Sequence, residues 1–328
     1  MTALLQTLQG QPVATRVLER ALSDGHVHHA YLFDGQPGVG KELAAFGLAQ
    51  SLVCEKPLAP FACGECSPCK RAVPRGEKRI PIHPDIVVLE RGLYEPAQIG
   101  RKSPETQEIS VDQVRTLVLA RAAFRAHEGR AKVFIVRGAE ELSTSAANAL
   151  LKTLEEPMQG TFFVLLSAQP DALLATIRSR TQRVRFGLLS DELLETLLSE
   201  RGVAATDRAL VIATSKGSME NALASLKQDA PGYESFVNCA LEAVSETSFV
   251  RSLDVAEEMK RLNREGAIEA LLAVARQFAT LAKEQVDTPA SELWARRFQL
   301  VEQAIAALHG NGSPQLVGES LLSRLRRT

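Results

Sequence analysis

The octapeptide Gly35-Gln36-Pro37-Gly38-Val39-Gly40-Lys41-Glu42 has the spacing of a phosphate-binding loop, with one departure at its last position. In such a loop the backbone N–H groups and the following helix N-terminus hold phosphate oxygens. Gly35, Gly38 and Gly40 let the backbone approach, and Lys41 supplies the point charge. The next residue should be Ser or Thr, whose hydroxyl ligates Mg²⁺, yet Glu42 stands there. A carboxylate about 4 Å from a phosphate oxygen costs up to about 4 kcal/mol at an effective dielectric of about 20. As a metal ligand its longer arm disturbs the octahedral geometry that Mg²⁺ demands.

A hydrolysing site also needs an Asp for Mg²⁺, and usually a Glu for water, at the end of a later core strand. After the strand-like run Lys132–Val136 this chain has Arg137 and Gly138. Glu140 and Glu141 follow at the wrong offset and are expected to face solvent at the start of the next helix. Two independent requirements have been lost together, so the loop reads as a relic with respect to hydrolysis. Lys41 and the loop backbone persist, which leaves ATP binding in this chain doubtful but open. A chance glycine-rich turn is the bland alternative, and the strand–loop–helix order around the motif argues against it.

Cys54, Cys63, Cys66 and Cys69 form a C-x₈-C-x₂-C-x₂-C cluster. Four thiolates suit tetrahedral Zn²⁺, and a closed Cys₄ shell implies a structural role; free thiols or labile disulfides are the alternative. Cys239 stands alone and is expected to be a small core residue. The segment Thr176–Thr181 (TIRSRT) sets two arginines beside a serine. It reads either as a solvated turn or as a source of positive charge for a phosphoryl group, including one on a neighbouring subunit. His26, His28 and His29 have no cysteine or carboxylate at ligand spacing, and packing or hydrogen-bonding roles are expected of them.

The elements that must hold these groups alternate through the first half. Helical periodicity covers Gln11–Ser23, Lys41–Val53, Val111–Phe124 and Ser143–Glu156. Short, evenly apolar strands are expected at Ala30–Phe33, Asp85–Leu89, Lys132–Val136 and Thr161–Leu166, which indicates a parallel sheet covered on both faces, and one more strand is expected at Arg183–Phe186. From about Ser190 strand signals vanish. Short helices are expected at Asp191–Glu200, Asp207–Thr214 and Met219–Gln228, and Pro231-Gly232 marks a boundary. Long amphipathic helices follow to the end, including Ile268–Glu284, Ala290–Leu308 and Gln315–Leu325.

Composition limits the choices. The chain has 328 residues, 45% hydrophobic and 23% charged, with a net charge of −1. That is enough for two or three domains and gives no overall attraction to nucleic acid. No basic region precedes an apolar core at the N-terminus, and no apolar run approaches the length of a membrane span. A cytoplasmic protein without membrane contact is expected.

HHAYLFDGQPGVGK, the cysteine knuckle, HPDIVVLE, the helix NALLKTLEEP (Asn148–Pro157) and the IRSRT turn occur here in the order found in bacterial clamp-loader subunits of DNA polymerase III. The chain resembles this AAA+ family, most of all its delta-prime branch, strongly over about Leu5–Phe186 and weakly beyond. The resemblance implies an α/β AAA+ domain with a zinc insertion at residues 54–69 (1–187), a small helical lid (188–230) and an all-α collar (231–328). It implies no ATPase of its own and a place in a hetero-pentameric ring with gamma/tau and delta subunits. Through that ring the chain would meet the sliding clamp and primed DNA. Arg180 would then be an arginine finger offered in trans. The family motif there is Ser-Arg-Cys, from which Thr181 departs. Two rival readings are an active gamma/tau-like ATPase, which the missing hydroxyl and acids oppose, and a zinc-dependent nucleic-acid-binding protein. The second would use Lys70, Arg71, Arg75, Lys78 and Arg79 as a basic face.

Overall fold

A computed structural model describes residues 3–101, 108–128, 130–227, 234–245, 259–262, 264–285, 288–310 and 312–325. The boundary expected at Pro231-Gly232 lies outside them. The chain divides into two compact units, Met1–Asn221 and Ala222–Thr328.

In the first unit, helix α1 (Pro12–Ser23) leads into strand β1 (Ala30–Asp34) and helix α2 (Lys41–Val53). A short helix α3 (Ser67–Ala72) precedes β2 (Ile86–Leu89). Helix α4 runs through three successive stretches, Val111–Gln113, Val114–Leu119 and Ala120–Ala122, the middle one wound as a π-helix. Strand β3 (Lys132–Val136), helix α5 (Thr144–Glu155) and strand β4 (Thr161–Ser167) follow. The unit continues with α6 (Ala175–Arg178), β5 (Gln182–Arg185), α7 (Asp191–Glu200) and α8 (Ala205–Ser215). Helix α9 (Met219–Lys227) spans the division between the units.

The five strands are all parallel, in the order β2-β3-β4-β1-β5. Strands β1 to β4 are apolar at nearly every position because both faces are covered, and successive side chains go to opposite sides, whereas the edge strand β5 buries only Val184. Tyr31, Phe33, Val133, Ile135, Val164 and Leu166 join one core with α1 and α2. Leu32, Phe134, Val136, Phe163 and Leu165 join the other with α4, α5 and Ile177. Chain order reverses direction at β1, which lies between β4 and β5. In open parallel sheets that switch point, at the strands' carboxyl ends, is where ligands bind. The loop of residues 35–40 leaves β1 there.

The second unit contains α10 (Glu234–Ser245), α11 (Arg264–Glu284), α12 (Pro289–His309) and α13 (Pro314–Leu325). Phe236, Leu271, Phe278, Val301 and Leu322 are among its buried residues. The Phe278 and Trp294 rings lie 5.3 Å apart. Among the described residues no helix is long and apolar enough to cross a membrane.

Candidate functional site: a phosphate-type loop with an internal ion pair

Gly40 adopts φ 102° directly before α2, a left-handed conformation that glycine tolerates and that turns the loop into the helix. Lys41 is 9% exposed, and its ammonium folds back on the loop, donating to the carbonyls of Gly35 (2.5 Å) and Gln36 (2.7 Å). Burial pushes its pKa below the ordinary lysine value, against the opposing pull of the Glu140, Glu220 and Asp34 carboxylates.

Glu42 and Arg137 meet. An Arg137 Nη2 donor lies 2.7 Å from Glu42 Oε1, and Nη1 lies 2.6 Å from Glu90 Oε2. Both nitrogens also donate to backbone carbonyls, those of Lys78 (3.1 Å) and Arg79 (2.6 Å). The Arg79 guanidinium reaches the other Glu42 oxygen at 3.5 Å. A permanently charged guanidinium, only 12% exposed, therefore sits between two carboxylates at the ends of β2 and β3. This is the neighbourhood where the motif would require Mg²⁺ and its ligands. Glu42 is thus neutralised by the chain itself, and its carboxylate is turned to Arg137.

Glu140 departs from the solvent-facing position expected of it. It is half-buried, and its Oε1 accepts the N–H of Ala168 (3.0 Å) beyond the end of β4. The backbone N–H left over at the strand end selects this arrangement. Glu141 is also half-buried, 3.4 Å from Arg91, and burial raises its pKa.

Residues outside the motif also shape the loop, and sequence reasoning missed them. Ser218 Oγ donates to the Pro37 carbonyl (2.8 Å), and the Met219 N–H donates to the Gly38 carbonyl (3.2 Å). A Cβ on Gly38 would lie 2.4 Å from the Glu220 nitrogen, so only glycine fits beneath the start of α9. Gln11 bridges the loop to the end of β5, donating to the carbonyls of Val39 (3.1 Å) and Gly187 (2.7 Å). The one sequence signal available was Gly217-Ser218 before an amphipathic helix, an N-cap pattern; the Ser218 hydroxyl does accept the Asn221 N–H at 3.2 Å.

The four cysteines come together. Their sulfurs all lie within 4.8 Å of one another, with Cys54–Cys63 at 3.6 Å, Cys63–Cys69 at 3.9 Å and Cys54–Cys66 at 4.0 Å. A tetrahedral Zn²⁺ with Zn–S bonds of about 2.3 Å separates its sulfurs by about 3.8 Å, so the donor set fits. Backbone N–H groups of Cys66 and Glu65 pull the Cys63 thiol down to about 6, whereas burial pushes those of Cys54 and Cys69 up. Gln50 of α2 ties the knuckle to the sheet domain: it donates to the Cys69 carbonyl (3.1 Å) and accepts the Leu4 N–H (2.8 Å).

The basic residues beside the knuckle are largely engaged. Arg71 makes a two-pronged pair with Glu128 at 2.5 Å, Arg79 faces Glu42, and Lys78 donates to the Leu93 carbonyl at 2.9 Å. Arg180 lies in the turn between α6 and β5, far in sequence from the loop. It pairs with Glu155, the last residue of α5, and donates to the Thr176 carbonyl at 2.8 Å. Arg178 is held by Asp171 at 2.6 Å. The histidines have hydrogen-bonding and packing roles, as expected. His28 contacts the Ala30 carbonyl (2.7 Å), His29 the Leu154 carbonyl (2.9 Å) and His26 the Asp24 carbonyl (2.7 Å); the His28 and His29 rings stack at 4.4 Å.

The sequence model of the family described as DNA polymerase III, delta subunit, matches residues 10–190. DNA polymerase III subunit delta' of Pseudomonas aeruginosa is 42% identical over 154 residues, covering 46% of this chain and 41% of that protein. The Bacillus subtilis subunit delta' is 34% identical over 194 residues, covering 59% of this chain and 53% of that one. Subunit gamma/tau of Mycobacterium tuberculosis is 34% identical over 225 residues, covering 67% of this chain but 36% of the longer protein. Among solved structures, a DNA polymerase III gamma subunit-related protein from Thermotoga maritima superposes with a TM-score of 0.50 at 16% identity, covering 95% of this chain and 98% of that one. At that identity the likeness shows the fold alone. The parallel sheet with helices on both faces resembles an AAA+ fold.

Proposed function

From the chain's membership of the delta-prime/clamp-loader family of DNA polymerase III, to which it belongs, we propose that it is a non-hydrolysing subunit of a clamp loader. In this reading it joins gamma/tau and delta subunits in a hetero-pentameric ring that places a sliding clamp on primed DNA. Its own contribution is Arg180, an arginine finger presented to the nucleotide of a neighbouring ATPase subunit.

The observation that carries the reading is the Glu42–Arg137 pair at 2.7 Å. A site that turned over Mg²⁺-nucleotide would need a hydroxyl and an acid in that neighbourhood. The ion pair there puts neither a hydroxyl nor a free acid in place for the metal, because Glu42 is turned to Arg137. The gamma/tau-like alternative lacks support for the same reason. Lys41 spends two of its three donors on the loop's own carbonyls and would have to turn from them to meet a β- or γ-phosphate. Residues 1–187 would be the AAA+ domain, 188–230 the lid and 231–328 the collar that joins the ring. Cys54, Cys63, Cys66 and Cys69 would hold one structural Zn²⁺, which would staple residues 54–69 and take no part in catalysis.

The test is reconstitution. Arg180→Ala should leave folding and assembly intact while lowering ATP-driven clamp loading by the whole complex. Fingers of this kind contribute about 10³–10⁵ in rate where they are the main stabiliser. The loss here should be smaller, because only the site facing this chain is affected. Complexes that load clamps and hydrolyse ATP at the normal rate would remove the finger from the account.

A further inference from the structure

Resting on that reading of Arg180, we propose that Glu155 is its positioning residue, parking the guanidinium on this subunit until a neighbour's phosphates compete for it. The Arg180 fork is committed within its own chain: Nη2 to Glu155, and Nη1 to the Thr176 carbonyl at 2.8 Å and Ser179 Oγ at 3.3 Å. A finger in this state points at its own α5 helix. To reach a γ-phosphate it must surrender at least the carboxylate.

The pair is suited to opening. The two side chains are 32% and 46% exposed, so water screens the interaction and the pair is weak. A triphosphate carries more charge than one carboxylate and offers the same forked recognition, so it wins the exchange. Helix energetics alone do not call for an acid at this position. Glu155 ends α5, where the dipole favours a cation, and Glu156 follows it. Arg178 differs: its partner, Asp171, is 86% exposed on the short turn before α6.

Parking divides Arg180 between a held and a presented state, and the neighbouring site's apparent nucleotide affinity is reduced by the presented fraction. Removing the Glu155 charge should therefore tighten nucleotide use without altering the chemical step. The full-length chain, as wild type, E155Q, R180A and the double variant, is reconstituted with its partner subunits. ATP hydrolysis in the presence of clamp and primed DNA is then followed against ATP concentration. E155Q should raise the rate at low ATP about two-fold and converge with wild type at saturating ATP. In the R180A background the same substitution should change nothing. An unchanged low-ATP rate with E155Q, or the same gain without Arg180, would overturn the parking role while leaving the finger intact. A ten-fold fall at saturating ATP would also overturn it, because Glu155 would then be orienting the finger during reaction. Wild-type hydrolysis by R180A would overturn the finger and the parking together.

Discussion

Arg137 does at one position what the relic loop needs most: it neutralises Glu42 and Glu90 and closes the space beside α2. Substituting Arg137 by Ala takes the nearer cation from Glu42, leaving it Arg79 at 3.5 Å, takes the Arg137 partner from Glu90, and removes two donations to backbone carbonyls. Charge-assisted hydrogen bonds of this kind contribute about 1.5–3 kcal/mol. Urea unfolding should show a loss of that size, with no gain of ATPase activity. Each odd residue was legible alone, as a missing hydroxyl and a missing acid. Their contact was not, because 95 residues separate them and nothing local encodes a pairing that the β1 and β3 strand ends create. At the proposed finger, Arg180→Lys should restore little of what Arg180→Ala loses in clamp loading, since lysine lacks the planar fork. Arg178→Ala, two residues earlier, is the control and should load clamps at close to the normal rate.

At the scale of elements, the strands and the glycine loop were readable because period and turn chemistry are local, and α2 and β3 fall at their expected residues. Helix α10 falls in the stretch expected to be helical to the chain's end, but its bounds were not read. The strap of Ser218–Glu220 over the loop was unreadable for another reason: it depends on where the chain returns after β5. The knuckle was readable from spacing alone, since two C-x₂-C turns crowd sulfurs whatever surrounds them. If the proposed Zn²⁺ is bound there, one per chain, a Cys66→Ser, Cys69→Ser variant should lose it by metal analysis, and the helices of the second unit should stay folded. Metal remaining at one per chain would refute the ligand set. Just beyond the knuckle, His83 is buried against Glu128, at 3.2 Å, with Arg71 and Asp85 close by. Burial lowers its pKa below the ordinary 6.5, with Glu128 and Asp85 opposing and Arg71 assisting. The unfolded chain then binds the extra proton first, so stability should fall as pH drops below about 6.5. One such proton gives at most about 1.4 kcal/mol per pH unit. Glu128, held below the usual carboxylate range chiefly by its Arg71 hydrogen bond, gives up its share at still lower pH. His83→Gln should flatten the first part of that acid limb in denaturant titrations.

For the whole molecule, the second unit's helices divide their apolar residues in a way periodicity alone did not resolve. Leu271 and Phe278 are spent on that unit's own core and Leu300 packs against it, whereas Leu272 and Leu293 stay half-exposed. A chain truncated after Lys227 should keep its α/β circular dichroism and lose co-purification with the other subunits; undiminished assembly would refute the collar. The central claim, a clamp-loader subunit whose phosphate loop does no hydrolysis, is met most directly by steady-state phosphate release from the purified full-length chain with ATP and Mg²⁺. The account predicts no release above background, in wild type and Lys41→Ala alike. Release by the wild type that disappears in Lys41→Ala would contradict it.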